Sequence, residues 1–290
     1  MRLIVRATET GSRLGVLIDD ERAVDATDLD PELPATMTTL IEGGGVALAR
    51  IEAALARKRA AVPHRRLDEL ALEAPVGRVG KVVAIGKNYR EHAAEEGVEA
   101  PSAPVIFAKF PSSIVGPEAE IRWRAADTTQ VDWEAELAVV IGRSARDVPV
   151  DAALGYVLGY TCLNDVSARD LQFGDGQWTR GKSLDTFCPI GPWLVTADEI
   201  ADPQRLRVRL FVNGECMQDG STEHMVHGVA EIIAFCSRTM TLEPGDVIAT
   251  GTPGGVGVFR TPPRFLANGD DVVVAIDGVG RLRNRCRVLD

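Results

Sequence analysis

Residues 131–142 read VDWEAELAVVIG. Val131, Trp133, Ala135, Leu137 and Val139 alternate with Asp132, Glu134, Glu136, Ala138 and Val140, which is the two-residue period of a β-strand. Glu134 and Glu136 therefore point the same way. Two carboxylates side by side on a half-buried strand repel unless one keeps its proton or a cation lies between them. A divalent metal is the economical explanation.

The strand pattern continues on both sides of this stretch. From Lys81 onward the chain reads KVVAIG, PVIFAKF, LGYVLGYTCLN, GPWLV, RLRVRLFVNGE, GDVIATG, DDVVVAID and VGRLRNRCRV, all apolar or alternating segments bounded by turn residues. NGE at 213–215 marks a tight hairpin, and HGVAEIIAFCSRTM at 227–240 has the spacing of one amphipathic helix laid on the sheet. Strands outnumber helices too heavily for a Rossmann or TIM-barrel pattern. The expected fold class is a β-rich α+β domain.

Residues 1–75 read as a separate small α+β unit ahead of a main domain at 76–290. Short strands at LIVRA, RLGVLID and RAVD precede the helical stretch VALARIEAALARKRAA, in which Val46, Leu48, Ile51, Ala54 and Leu55 form the apolar stripe. LEAPVGRVG, with one Pro and two Gly, is the expected linker.

Composition sets the class. A chain of 290 residues that is 45% hydrophobic buries one large core and a smaller satellite. The formal net charge of -10 argues against non-specific binding to nucleic acid or to an anionic membrane, both of which need clustered Lys and Arg. The arginines of RLRVRL and RLRNRCR alternate with apolar residues and read as sheet surface. Five cysteines, none in C-x-x-C, indicate neither a disulfide framework nor a zinc site. No apolar run approaches the roughly 20 residues that span a bilayer, and MRLIVRATETG is too short and polar for a secretory signal. A soluble cytoplasmic protein is expected.

Four further stretches carry chemistry. LGYTCLND ends at Asp165, a third carboxylate at a strand end, and with Glu134 and Glu136 it makes three hard oxygen donors. Such a set suits Mg²⁺ or Mn²⁺, with Ca²⁺ as the alternative. An exposed sheet face with Asp165 as an N-cap fits the same pattern equally well. In IGKNYREHAAEEG, 85–97, Asn88 and Glu91 suit an N-cap and Gly97 a stop, so His92 and Glu95 become neighbours on a two-turn helix. A carboxylate beside an imidazole orients it and raises its basicity, as a general base requires, though a surface pair has the same pattern. In GQWTRGKSLDTFCPIGPW, 176–193, Lys182 sits in a segment too rich in Gly and Pro for regular structure, either polarising a carbonyl or merely solvated. ATGTPGGVGVF, 249–259, offers backbone N–H groups and the Thr252 hydroxyl to a carboxylate.

GKNYREHAAEEG, DWEAELAVVIG, NDVSARDLQ, GQWTRGKSLDTFCPIGPW and TGTPGGVG, in this order over residues 81–290, resemble the signatures of the fumarylacetoacetate hydrolase family. The small N-terminal unit is similar to that of the longer two-domain bacterial members. The resemblance implies a mixed β-sandwich roll of the family's C-terminal type, a homodimer, and a Mg²⁺ or Mn²⁺ ion that chelates the 2-oxo-carboxylate or enol end of a small acid. It implies Glu134, Glu136 and Asp165 as metal ligands, His92, Glu95 and Lys182 as catalytic residues, and Arg169, Gln172 and Thr252 as substrate contacts. KFPSS at 109–113 departs from members that place Pro or a small residue directly after the lysine.

The implied activity is hydrolysis of a carbon–carbon bond in a 2,4-dioxo acid of the acylpyruvate, fumarylpyruvate or diketo sugar acid type. The same metal site also serves family members that isomerise or decarboxylate 2-oxo or 2-hydroxy-dienoic diacids, oxaloacetate included, and this is the alternative.

Overall fold

The computed structural model describes residues 1–290. Its largest sheet runs, from one edge, through Arg65–Arg66, Arg22–Asp25, Gly11–Leu17, Arg2–Thr8, Cys188–Thr196, Val157–Asn164, Ala135–Ile141, Val247–Ala249, Val82–Gly86 and Val105–Lys109. A second sheet is ordered Glu215–Ser221, Arg207–Val212, Asp271–Ile276, Gly280–Leu289, Glu120–Arg124. Most pairings are antiparallel, but Val82–Gly86 runs parallel to Val247–Ala249 and Glu120–Arg124 parallel to Gly280–Leu289. The β-rich α+β class is as the sequence pattern implied, and the mixed sheets are as the family resemblance implied.

Ala135–Ile141 lies at the centre, and all seven of its residues are buried. This corrects the half-buried expectation. Leu137, Val139 and Ile141 enter a core shared with Val208, Leu210, Val272 and Val274 of the second sheet. Ala138 and Val140 enter another core on the opposite face, shared with Leu3, Val16, Leu40 and Ile51 of the N-terminal segment. A strand covered on both faces has no polar side, which is why AVVI is continuous. Each buried Leu or Val contributes about 1.5–3 kcal/mol to this arrangement.

The N-terminal segment is tied to the rest by sheet as well as by packing. Leu3 pairs with Leu194, so hydrogen-bonded strands run unbroken from Arg2–Thr8 into Cys188–Thr196. The helix expected from Val46 begins earlier and spans Met37–Lys58, with the Thr36 hydroxyl accepting from the Thr39 N–H. Gly44 interrupts it with a left-handed φ of 54°, and beyond this break the buried face consists of Ala47, Ile51 and Ala54. Val46, expected in the stripe, is 74% exposed. The amphipathic helix Val229–Thr239 and the hairpin turn at Asn213 and Gly214 lie where the sequence placed them. The five cysteines are unpaired, and no helix is long and apolar enough to cross a membrane.

Residues 131–142 do not form one strand. Val131–Asp132 pairs with Ser167–Ala168, and the main strand begins only at Ala135. Between them, Glu134 N–H donates to the Asn164 side chain at 3.0 Å and Ala135 N–H to that of Gln218 at 2.9 Å. Side-chain acceptors replace the ladder there, which frees the carboxylates of this corner from the sheet surface.

Candidate active site

The corner at 132–136 faces the end of the neighbouring strand. Glu136 is in register with Leu163, and Asp165 N–H donates to the Glu134 carbonyl at 2.9 Å. This brings Glu134, Glu136 and Asp165 together, with ligand oxygens within 4.8 Å of one another, all three buried. Asp165 is no N-cap, since the helix Arg169–Gly174 starts after Ala168.

Three cations are folded into the same cluster. Lys182 Nζ lies 2.7 Å from Glu134 Oε2 and 2.8 Å from Asp165 Oδ2. Arg169 reaches Glu134 at 2.8 Å and Asp132 at 2.9 Å. Lys109, with a fully buried side chain, lies 2.6 Å from Asp165 Oδ1 and donates to the Lys182 carbonyl. Lys182 stands at the end of the short helix Trp178–Lys182, which corrects the expectation of irregular loop. That helix packs tightly on Arg169–Gly174 because Gly181 has no side chain; a Cβ there would come within 2.6 Å of the Gln172 nitrogen.

The electrostatics divide the carboxylates. Burial alone would raise the Glu134 carboxyl, but Lys182, Arg169 and His92 hold it well below the usual range. Glu136 is the reverse case: burial, then the charges of Asp165 and Glu134, push it well above. Its one strong partner is the Gly251 N–H at 2.8 Å, so the glycine-rich 249–259 turn does hold a carboxylate, an internal one. Burial disfavours the charged forms of Lys182 and Arg169, yet their acid partners raise both.

Four buried carboxylates thus face three cations, and Glu136 is left without one. Three hard oxygens with one uncompensated charge fit a divalent cation of the Mg²⁺ or Mn²⁺ kind; no sulfur or imidazole is part of the set.

Beside the acids lies a small cavity that His92, Glu136, Gln172, Trp178, Lys87 and Glu96 help to line. His92 is carried on the helix Arg90–Glu95, capped by Tyr89; Asn88, expected as the cap, instead donates to the Thr250 and His227 carbonyls. The imidazole is buried between two carboxylates, with Nδ1 3.6 Å from Glu95 and Nε2 3.5 Å from Glu96. Nδ1 has no hydrogen bond, and Glu95 accepts from the Gly255 N–H at 2.7 Å instead. Arg169 donates to Gln172 Oε1 at 3.0 Å, leaving the Gln172 amide N–H groups available. The Thr252 hydroxyl donates to the Ala135 carbonyl and accepts from Gln218.

The family model for the C-terminal domain of fumarylacetoacetate hydrolase matches residues 81–287. The chain belongs to this family. Oxaloacetate tautomerase FAHD2A, mitochondrial, of Homo sapiens is 45% identical over 279 residues, covering 96% of this chain and 85% of that protein. Two solved structures match over the whole of both chains. Fumarylacetoacetate hydrolase from psychrophilic Exiguobacterium antarcticum does so with a TM-score of 0.87 at 39% identity. For 5-carboxymethyl-2-hydroxymuconate delta-isomerase from Mycobacterium smegmatis the TM-score is 0.78 at 37% identity. The protein is an enzyme of the fumarylacetoacetate hydrolase family.

Every site residue expected from the sequence of this family member lies in the cluster or at its edge. Four others in the same region were given no role from the sequence. Asp132 was visible as the third acid of the alternation, and here it anchors Arg169 and accepts from the Gly257 and Val258 N–H groups. Lys109 was the one charge inside the apolar run VIFAKF. Lys87 and Glu96, joined at 2.7 Å, gave no signal because each looked like an ordinary helix-flanking charge.

Proposed function

We propose that the protein is a divalent-metal-dependent enzyme that interconverts the enol and keto forms of a small 2-oxo diacid of the oxaloacetate class. The observation that carries this reading is the small polar cavity, in which His92 is the only imidazole, beside three converging carboxylates. The cavity is small and lined mostly by polar and charged side chains, which favours a short diacid over a long acyl tail. The activity for which the human relative is named supports the same substrate class.

Glu134, Glu136 and Asp165 would hold the ion. When bound, it would act as a Lewis acid that grips the 1,2-dioxygen end of the substrate and stabilises enolate charge. The remaining work falls to the chain. Lys182, Lys109 and Arg169 keep Glu134 and Asp165 ionised in a buried setting, so the donor set is ready before any ligand arrives. Gln172 offers amide N–H groups to the substrate, while Thr252 steadies Gln218 and the Ala135 carbonyl. His92 takes the proton from the carbon next to the carbonyl, Glu95 or Glu96 stabilises the imidazolium that results, and the imidazolium returns the proton to the enolate oxygen, with the reverse order giving the keto form.

One observation favours a second reading. The His92 and Glu95 pair is also the arrangement that activates water, and hydrolysis of a carbon–carbon bond in a 2,4-dioxo acid would release a pyruvate enolate at the same dioxygen end. Decarboxylation of oxaloacetate would share that enolate without needing the water. The deciding experiment supplies Mg²⁺ or Mn²⁺ and scores three signals separately: loss of enol-oxaloacetate absorbance, release of pyruvate from oxaloacetate, and cleavage of acylpyruvates. Accelerated enol loss that vanishes in His92→Ala is expected. Acylpyruvate cleavage with no effect on enol decay would overturn the tautomerase reading and leave the hydrolase.

A further inference from the structure

Of the cations that line the cavity, Arg169 and Lys182 are both held by the acid cluster. Lys87 is the exception. Its ammonium lies 2.7 Å from Glu96 Oε2 and 5.9 Å from the centroid of the Trp178 ring, and its side chain is 23% exposed. Glu96 caps the end of the Arg90–Glu95 helix that carries His92, and its other oxygen faces His92 Nε2.

The backbone treats Lys87 as a special position. It adopts a φ of +56°, a left-handed conformation that a long side chain takes only when its surroundings enforce it. The enforcing contacts are local. Asn88, next in the chain, is bound to three backbone groups of the 225–250 region, and Gly86, just before it, lies flat against Trp178, where a Cβ would meet the ring at 2.4 Å. Trp178 is braced in turn by the edge of Phe107 at 5.4 Å. The turn is thereby built to aim an ammonium into the cavity beside an aromatic wall.

We propose that Lys87 is a specificity-determining residue that receives the second carboxylate of the substrate, with Glu96 as its partner when that carboxylate is absent. A diacid would displace Glu96 from Lys87, since a substrate carboxylate supplies the same charge at the same ammonium. The displaced Glu96 then has only His92 to pair with, so engagement of the far end of the substrate is coupled to orientation of the base. A monoacid leaves the Lys87 and Glu96 pair intact and gains neither contact. This rests on the reading above that the substrate is a small 2-oxo diacid, and it adds which residue receives the second carboxylate.

The test compares oxaloacetate with 2-oxobutanoate, which keeps the 2-oxo acid end and replaces the distal carboxylate by a methyl group. Dissociation constants are measured by calorimetry with the Mg²⁺-loaded protein, for wild type, Lys87→Met and Lys87→Arg. Wild type is expected to bind the diacid at least tenfold more tightly. In Lys87→Met the preference collapses through weaker oxaloacetate binding, with 2-oxobutanoate within twofold of wild type, and Lys87→Arg restores most of it. Equal binding of the two acids by wild type, or an unchanged preference in Lys87→Met, would overturn the assignment. Because the readout is binding, it separates from the activity. Discrimination without turnover would remove the tautomerase reading and leave Lys87 as the diacid selector, whereas turnover without discrimination would do the reverse.

Discussion

The acid cluster and the 88–97 segment above it are built in opposite ways. Each carboxylate of the cluster comes from a strand or strand end, is at most 5% exposed, and is fixed by a cation or a backbone N–H. The His92 helix is six residues long, has no side-chain cap, and holds its imidazole between two carboxylates without a hydrogen bond at Nδ1. The first arrangement is pre-organised and the second is adjustable. An ion site must meet fixed distances, whereas a base must follow a proton from carbon to solvent and back. Rigidity serves the former and would hinder the latter.

The sharpest way to break this contrast is to remove one carboxylate from the fixed part. Asp165→Ala strips Lys109 of its only acid and Lys182 of one of two, leaving buried ammonium groups uncompensated. A loss of about 3–5 kcal/mol in unfolding free energy is expected by denaturant titration. A change below 1 kcal/mol would mean the cluster is not the pre-organised unit described.

His92→Ala should act the other way round. Turnover falls by roughly 10²–10⁴, the usual contribution of a positioned acid–base group, while unfolding free energy changes far less than in Asp165→Ala. A large stability loss with modest activity loss would place His92 in the scaffold.

Glu136→Gln distinguishes members within the cluster. Its carboxyl is pushed up by burial and by two neighbouring acids and has no cation, so removing the charge should raise the stability of the protein in chelator while keeping an acceptor for the Gly251 N–H. The thermal shift on adding Mg²⁺ that is expected of wild type should disappear. A variant destabilised in chelator would show that Glu136 is compensated after all.

The contrast also explains what could be read in advance. The rigid part was legible: a two-residue period with acids at Glu134 and Glu136 survives into geometry because a sheet transmits sequence spacing directly into position. Its extent was not, because burial on both faces depends on the Met37–Lys58 helix and on the second sheet, and neither is encoded within 131–142. The role of Lys109 escaped for the same reason, since a lysine in an apolar strand acquires meaning only when Asp165 arrives from the end of a strand four positions away in the sheet. In the adjustable part, sequence placed the helix correctly but assigned its cap to Asn88, a residue whose hydrogen bonds go to Thr250 and His227, over 130 positions away. Lys87 was invisible because a left-handed φ at a lysine has no signature in composition, and Glu96 because it reads as an ordinary charge at a helix end.

The smallest expected effect probes how loosely the helix is held. Outside the cavity Glu91 meets His224 at 2.5 Å, and both side chains are about half exposed. Exposed pairs of this kind contribute about 0–1 kcal/mol and are screened by salt. Glu91→Gln should therefore leave unfolding free energy unchanged within that range and alter turnover by less than about twofold, an amount set by the same small energy. Amide exchange of residues 90–96 is the finer measurement: it should quicken slightly in Glu91→Gln and in wild type at high salt, while exchange in Ala135–Ile141 stays fixed. If instead the variant slowed turnover tenfold, the helix would be held in its working position by an external latch, and the adjustability inferred from the unbonded imidazole would belong to His92 alone.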